Sequence, residues 1–214
     1  MGNIFRNLNF GELNNILLRI VPALICITIH ELAHGFAAYQ LGDMTAKNQG
    51  RLTLNPIKHI DPIGLLMMAL VRFGWAKPVP VDMRNFKNPK RGMAVTALAG
   101  PASNFILAFV LMVISAVTYR FMPGSAARLI FQTAGMSISL AVFNLLPIPP
   151  LDGSKILFSF LPDRVYGQLM RYERYGFILL IALIYTDVFS GFLVGAVEEI
   201  YNAMADIVRV LARL

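Results

Sequence analysis

The chain has 214 residues and a formal net charge of +7, with 57% of residues hydrophobic and only 14% charged. Its mean hydropathy is +0.62, and a soluble domain carries roughly 25% charged residues, so the composition is that of a membrane protein. An excess of Lys and Arg is ordinary in such a chain, because these residues gather on cytoplasmic loops. With no basic helix and no stacking-aromatic motif, nucleic acid is excluded as a partner.

Residues 1–10 hold Asn3, Asn7, Asn9 and a single Arg6, without a cleavage-site pattern, so no signal peptide is expected there. The first apolar stretch, residues 13–41, is interrupted only by Arg19 and the cluster from His30 to His34. A basic loop follows. Within it, residues 62–71 are apolar but too short to span a bilayer, which predicts a re-entrant or interfacial piece. Residues 50–56 and 77–81 are bounded by breakers and predict short extended, β-like segments. Residues 92–119 and 129–151 are apolar and uncharged, and residues 175–197 contain only Asp187. Each of these stretches reaches the roughly 20 residues that cross a bilayer core. Backbone groups must be satisfied inside lipid, so all four are predicted as helices. Residues 198–214 mix Glu198, Glu199, Asp206, Arg209 and Arg213 with aliphatic residues and predict an amphipathic helix. The expected fold is all-α: one membrane-embedded domain over residues 1–214, a polytopic helix bundle of about four spans.

Residues 42–91 and 152–174 together hold 13 of the 19 basic residues, and in a four-span arrangement both loops share one side. The positive-inside rule predicts a multi-pass cell-membrane protein with these loops cytoplasmic and both termini outside.

Residues 30–34 read His-Glu-Leu-Ala-His. Positions i and i+4 lie on one face of a helix, so His30 and His34 can hold one metal ion while Glu31 acts on water beside it. Ionisable side chains inside an apolar span are costly and mark function. Zinc suits imidazole nitrogen and needs a third protein ligand. Asp152 is the favoured candidate. It follows Pro147, Pro149 and Pro150, which cannot continue a regular helix and could turn Asp152 back toward the pair. His34 lies about 10 Å along the helix from its cytoplasmic end at Leu41, a depth Asp152 can share. His59 is the other candidate, expected at a solvated or interfacial position, and Asp187 is expected too far away. Cys26, one turn before His30, is expected to be a small buried hydrophobe rather than a ligand. As the only cysteine it can form no internal disulfide.

His-Glu-Leu-Ala-His in an apolar helix, followed by Asn-Leu-Leu-Pro-Ile-Pro-Pro-Leu-Asp-Gly at residues 144–153, resembles the site-2 protease family of intramembrane zinc metalloproteases. Residues 99–104, Ala-Gly-Pro-Ala-Ser-Asn, resemble that family's small-residue motif in the helix between them. The resemblance runs over about residues 24–155, and the chain is similar to the short members without a PDZ or CBS module. It implies one zinc ion held by His30, His34 and Asp152, with Glu31 as general base. It also implies Asn144 as a donor to a developing oxyanion, for which an interhelical hydrogen bond is the alternative role. Gly100, Pro101 and Asn104 are expected to be structural residues near the site. The implied activity is hydrolysis of peptide bonds in transmembrane segments of other membrane proteins, in regulated intramembrane proteolysis, with the lipid bilayer as setting.

A substrate helix hides its peptide bonds, so a strand edge that holds it unwound is expected at Leu52, Thr53 and Leu54 or at Val79 and Val81. The same segments could instead be plain connectors. The rival function is a zinc-binding membrane transporter or scaffold, which leaves Glu31 without a task.

Overall fold

The structure is a computed structural model describing residues 10–64, 75–118, 120–186 and 190–212. Helix α1 spans Phe10–Gln40 and closes at Gly42, whose φ of 105° suits glycine. A single turn, α2, covers Thr45–Asn48. Helix α3 spans Pro89–Thr118. It opens on Asn88, whose Oδ1 accepts the Arg91 N–H at 3.1 Å, with proline at the first helical position. Helix α4 covers Gly124–Asn144, α5 Asp152–Phe158, α6 Asp163–Tyr185 and α7 Ser190–Leu211.

The chain is all-helical, with no strand among the described residues. Among the described residues, three helices are long and apolar enough to cross a membrane: residues Ile20–Gln40 of α1, α3 and α4. Two expected boundaries are corrected. The third stretch stops being helical at Asn144 rather than at residue 151. Pro147, Pro149 and Pro150 lack the N–H a helix needs, and the backbone instead turns through Ile148 N–H to Leu146 O and Leu151 N–H to Ile148 O. The stretch 175–197 is divided between two helices. Thr186 caps α6, with its hydroxyl on Leu183 O, a local bond that competes with helix continuation. The amphipathic tail is accordingly the C-terminal part of α7 rather than a separate helix. Residues 65–71 of the expected re-entrant piece, and Asp187, lie outside the described residues.

Helix α3 is the centre of the bundle, packing on α1, α4, α5 and α7. Its inward stripe is made of small residues, Gly92, Thr96, Ala97, Gly100, Asn104 and Ala108. Small side chains let backbones approach closely where lipid offers no hydrophobic drive between helices. Beyond Asn104 the stripe becomes an apolar core, in which Ala108 and Met112 meet Ala134, Ile138 and Val142 of α4 and Val208 of α7. The opposite face of α3 presents Ile106 and Val117, 65% and 67% exposed. Large apolar residues at that exposure belong against acyl chains.

The segment between α1 and α3 is irregular. Its only β pairing among the described residues is one antiparallel bridge between Ile60 and Ala76, extended by Lys77 N–H donating to His59 O at 3.0 Å.

Candidate metal centre

Two chain segments deliver three side chains to one point, and a third closes over them. His30 and His34, one turn apart on α1, turn their rings to the same side, with centroids 4.5 Å apart and planes at 87°. The proline-rich turn after α4 reverses the chain, and α5 begins on Asp152. Gly153 allows that reversal: a Cβ there would sit 2.1 Å from Leu145 O. As a result Asp152 Oδ2 lies 3.1 Å from His30 Nε2 and 3.2 Å from His34 Nε2, and the two Nε2 atoms are 3.0 Å apart. All three side chains are nearly buried, at 6%, 12% and 11% exposure.

The third wall is α3. A Cβ on Gly100 would fall 2.5 Å from His34 Nε2 and 2.7 Å from His30 Cε1, so only glycine leaves room for both rings. One turn on either side, α3 contacts the far nitrogen of each ring. His34 Nδ1 lies 2.7 Å from Thr96 O, and a carbonyl can only accept, so Nδ1 carries the proton. That leaves His34 Nε2 as a lone pair. His30 Nδ1 lies 3.3 Å from the Asn104 side-chain amide, whose Oδ1 is buried without a partner among the described residues. Turning that amide end for end, an assignment hydrogen bonding must decide, gives the oxygen a proton from His30 Nδ1. Asn104 is itself fully buried, and its backbone carbonyl accepts from Ser137 Oγ of α4 at 2.8 Å.

In this tautomer both Nε2 atoms and the Asp152 carboxylate offer lone pairs to one point with no proton between the rings. Such a set answers a cation. Two imidazoles and a carboxylate, with the distal ring nitrogens tied to oxygen acceptors, is donor chemistry that fits zinc.

Glu31, adjacent to His30, lines the same cavity of about 370 Å³ as the three donors. Its Oε2 accepts the Val79 N–H at 2.7 Å. Pro78, Val79, Val81 and Asn144 also line that cavity. The Asn144 Nδ2 donates to Leu140 O at 2.9 Å, within its own helix.

The other sequence expectations fall as follows. Val79 and Val81 reach the cavity, whereas Leu52, Thr53 and Leu54 do not line it, and Leu54 is 65% exposed. Leu52 instead packs behind α1, its Cδ2 over Gly35. His59 is not solvated. It is 1% exposed, with Nε2 2.9 Å from Thr53 O, bracing the loop, and it stands outside the cluster of His30, His34 and Asp152. Cys26 is fully buried, its thiol 3.5 Å from Thr133 O. Gly100 and Asn104 touch the histidines, and Pro101 is buried beside them. Thr96 went unread in the sequence, since a backbone carbonyl leaves no residue signature. Lys155 and Glu173 line the cavity and pair at 3.6 Å; in the sequence Lys155 is one more loop charge, and Glu173 carries no signal of a site.

A sequence profile for Peptidase family M50 matches residues 120–186, which include α4, the proline turn and Asp152. The candidate zinc metalloprotease YwhC of Bacillus subtilis is 40% identical over 180 residues, 80% of this chain and 81% of that protein. The candidate zinc metalloprotease Rip2 of Mycolicibacterium smegmatis is 30% identical over 177 residues, covering 79% and 67%. Rip2 of Mycobacterium tuberculosis is 26% identical over 183 residues, covering 84% and 71%. No solved structure matches the chain. Spans, donor set and relatives together define a membrane metalloprotease whose cofactor is zinc. The chain belongs to the site-2 protease family, peptidase family M50.

Proposed function

We propose that the chain is an intramembrane endopeptidase that cuts transmembrane segments of other membrane proteins near their cytoplasmic ends. His30, His34 and Asp152 hold the zinc ion, and Glu31 is the general base. The observation that carries this reading is the convergence of three buried donors beside Glu31 in one cavity, on helices apolar enough to span a membrane.

When bound, zinc supplies a Lewis acid that polarises a carbonyl and lowers the pKa of water. The remaining work falls to the chain. Thr96 O and Asn104 hold the two rings in the tautomer that presents Nε2. The Val79 N–H fixes one Glu31 oxygen at the cavity wall. Glu31 takes a proton from the attacking water and passes it to the leaving amide nitrogen. Asn144, at the end of α4, lines the same cavity, and its second amide hydrogen could meet a developing oxyanion there.

Residues 78–81, which belong to no helix, are the edge on which an unwound substrate segment would lie. Among the described residues, Val81 N–H has no hydrogen-bond partner, whereas Val79 N–H is committed to Glu31. Val81→Pro removes that donor and is expected to slow cleavage about tenfold while leaving zinc content unchanged, the order of one to two lost hydrogen bonds. An unchanged rate would remove strand addition at Val81 from the mechanism.

For orientation, Lys90 in the first basic segment pairs with Asp163 in the second at 3.0 Å, which supports both segments lying on one side. The basic excess supports that side being cytoplasmic. Regulated proteolysis is the biology this activity would serve.

Glu31→Gln tests the assignment. The variant should bind one zinc per chain and fail to cut a model transmembrane substrate, with Asp152→Ala losing zinc as well. A Glu31→Gln protein that still cleaves overturns the base; one that does not cleave in either form but conducts zinc across vesicles establishes the transporter instead.

A further inference from the structure

A second cavity, of about 740 Å³, opens between the start of α3 and the turn from α5 to α6, away from the metal centre. Lys90, Arg91, Val95, Phe160, Asp163 and Tyr166 are among its lining residues. Lys90 donates to Leu161 O and to Asp163 Oδ1, so its ammonium is held in place at the rim. The Arg91 guanidinium, in the first turn of α3, has no partner among the described residues. Lys87 lines an adjoining hollow that also includes Arg91. Asp163 is the one carboxylate lining the cavity, its side chain 94% exposed; Glu173 stands near Tyr166 outside the lining and is paired with Lys155 at 3.6 Å. The helix N-terminus adds positive potential to the same spot.

Tyr166 points to what fills the cavity. It is 7% exposed, and its hydroxyl is buried without a hydrogen-bond partner among the described residues. Native structures rarely leave such a group unmet. An anionic oxygen in the cavity would accept from it and from Arg91 together.

The lower part of the site is apolar. Val95 and Leu98 continue the face of α3 that begins with Arg91, and they are 43% and 49% exposed. Phe160 stands 82% exposed on the other lip, and aromatic side chains are favoured where protein meets the headgroup layer. An inorganic anion would use only the upper half of this arrangement. A zwitterionic lipid would bring its own cation to a site already positive.

We propose that this cavity binds one anionic glycerophospholipid, its phosphate held by Lys90, Arg91 and the Tyr166 hydroxyl and an acyl chain lying along Val95 and Leu98. The full chain, purified in detergent and offered phosphatidylglycerol and phosphatidylcholine in equal amounts, should retain phosphatidylglycerol when examined by native mass spectrometry. Arg91→Gln should lower the retained fraction about fivefold, the effect of one basic residue near an anionic lipid of about 1 kcal/mol. Tyr166→Phe should lower it several-fold without reducing thermal stability in the lipid-free state, because the deleted hydroxyl has no partner to lose. Arg209→Gln, on the exposed face of α7, should change nothing. Equal retention of the two lipids overturns the proposal, as does wild-type retention by both Arg91→Gln and Tyr166→Phe. Displacement by millimolar inorganic phosphate as effective as by short-chain phosphatidylglycerol identifies a free-anion site and overturns the lipid.

Discussion

The metal cluster and the loop from Asp43 to Phe86 are built by opposite means. The cluster rests on helix packing. Four helices converge, glycine at 100 sets the spacing, and the polar contacts number only those the rings require. Among its described residues the loop buries only a few apolar side chains, Ala46, Val79 and Phe86, and is held largely by side chains bonding to backbone. Asp43, fully buried, accepts from Thr45, from the Asn85 amide and from the Asp82 N–H. Arg51 donates to Lys77 O, and His59 bonds Thr53 O. The contrast follows from solvent. Inside lipid an unsatisfied backbone group is too costly, so regular helices carry the chemistry. At the membrane face, irregular backbone is tolerated where polar side chains meet it. The bond from Val79 N–H to Glu31 joins the two regions, so the reaction should feel damage to either, but in different ways.

Gly100→Ala should break the first region outright. The added methyl would overlap both imidazoles, displacing ligand atoms by a good part of an ångström. Misplacement on that scale costs about hundredfold in rate, and metal analysis should show zinc content falling with it. Gly135→Ala is the control, since a Cβ there meets nothing within 4 Å. Retained zinc and activity in Gly100→Ala would mean the rings have slack that the packing does not suggest.

Asn104→Ala should be milder. It removes the acceptor for His30 Nδ1–H but leaves all three donors. Loss of such an outer contact lowers metal affinity about tenfold to hundredfold, measurable by competition with a chelator. An unchanged affinity would show that the ring is fixed by Gly100 alone.

The division also explains what the sequence revealed. The donor set was legible because ionisable residues stand out in an apolar span and the prolines before Asp152 announce a turn. The end of α4 at Asn144 was blurred by the apolar residues that follow it, since hydropathy carries no signal for where a helix stops. The stretch 175–197 failed for the same reason: apolar composition runs across Thr186, where backbone geometry changes. The burial of His59 and the role of Thr96 were invisible, because both depend on backbone carbonyls brought near by the fold. Of the two segments expected to be extended, only 77–81 carries residues to the cavity, a distinction no composition records.

Breaking the loop while sparing the cluster is the sharper test of the comparison. Burial raises the Asp43 carboxyl, but hydrogen bonds from Thr45, Asn85 and the Asp82 backbone outweigh it and hold the group below the ordinary aspartate value of 3.8. A lowered folded value means stability that is present above pH 3.8 and is lost as pH falls through that lowered value. The loop should therefore be insensitive to pH between 7 and 5 as far as Asp43 is concerned. Asp43→Asn removes the charge and puts donors where acceptors are needed, an expected loss of about 2 kcal/mol, the scale of hydrogen bonds to a charged group. Amide exchange at Val79 and Asp82 should accelerate, and cleavage should slow a few-fold as Glu31 loses its fixed partner, while zinc content stays at one per chain. If zinc content falls together with loop protection, the two regions are one cooperative unit, and the helices alone do not hold the metal site.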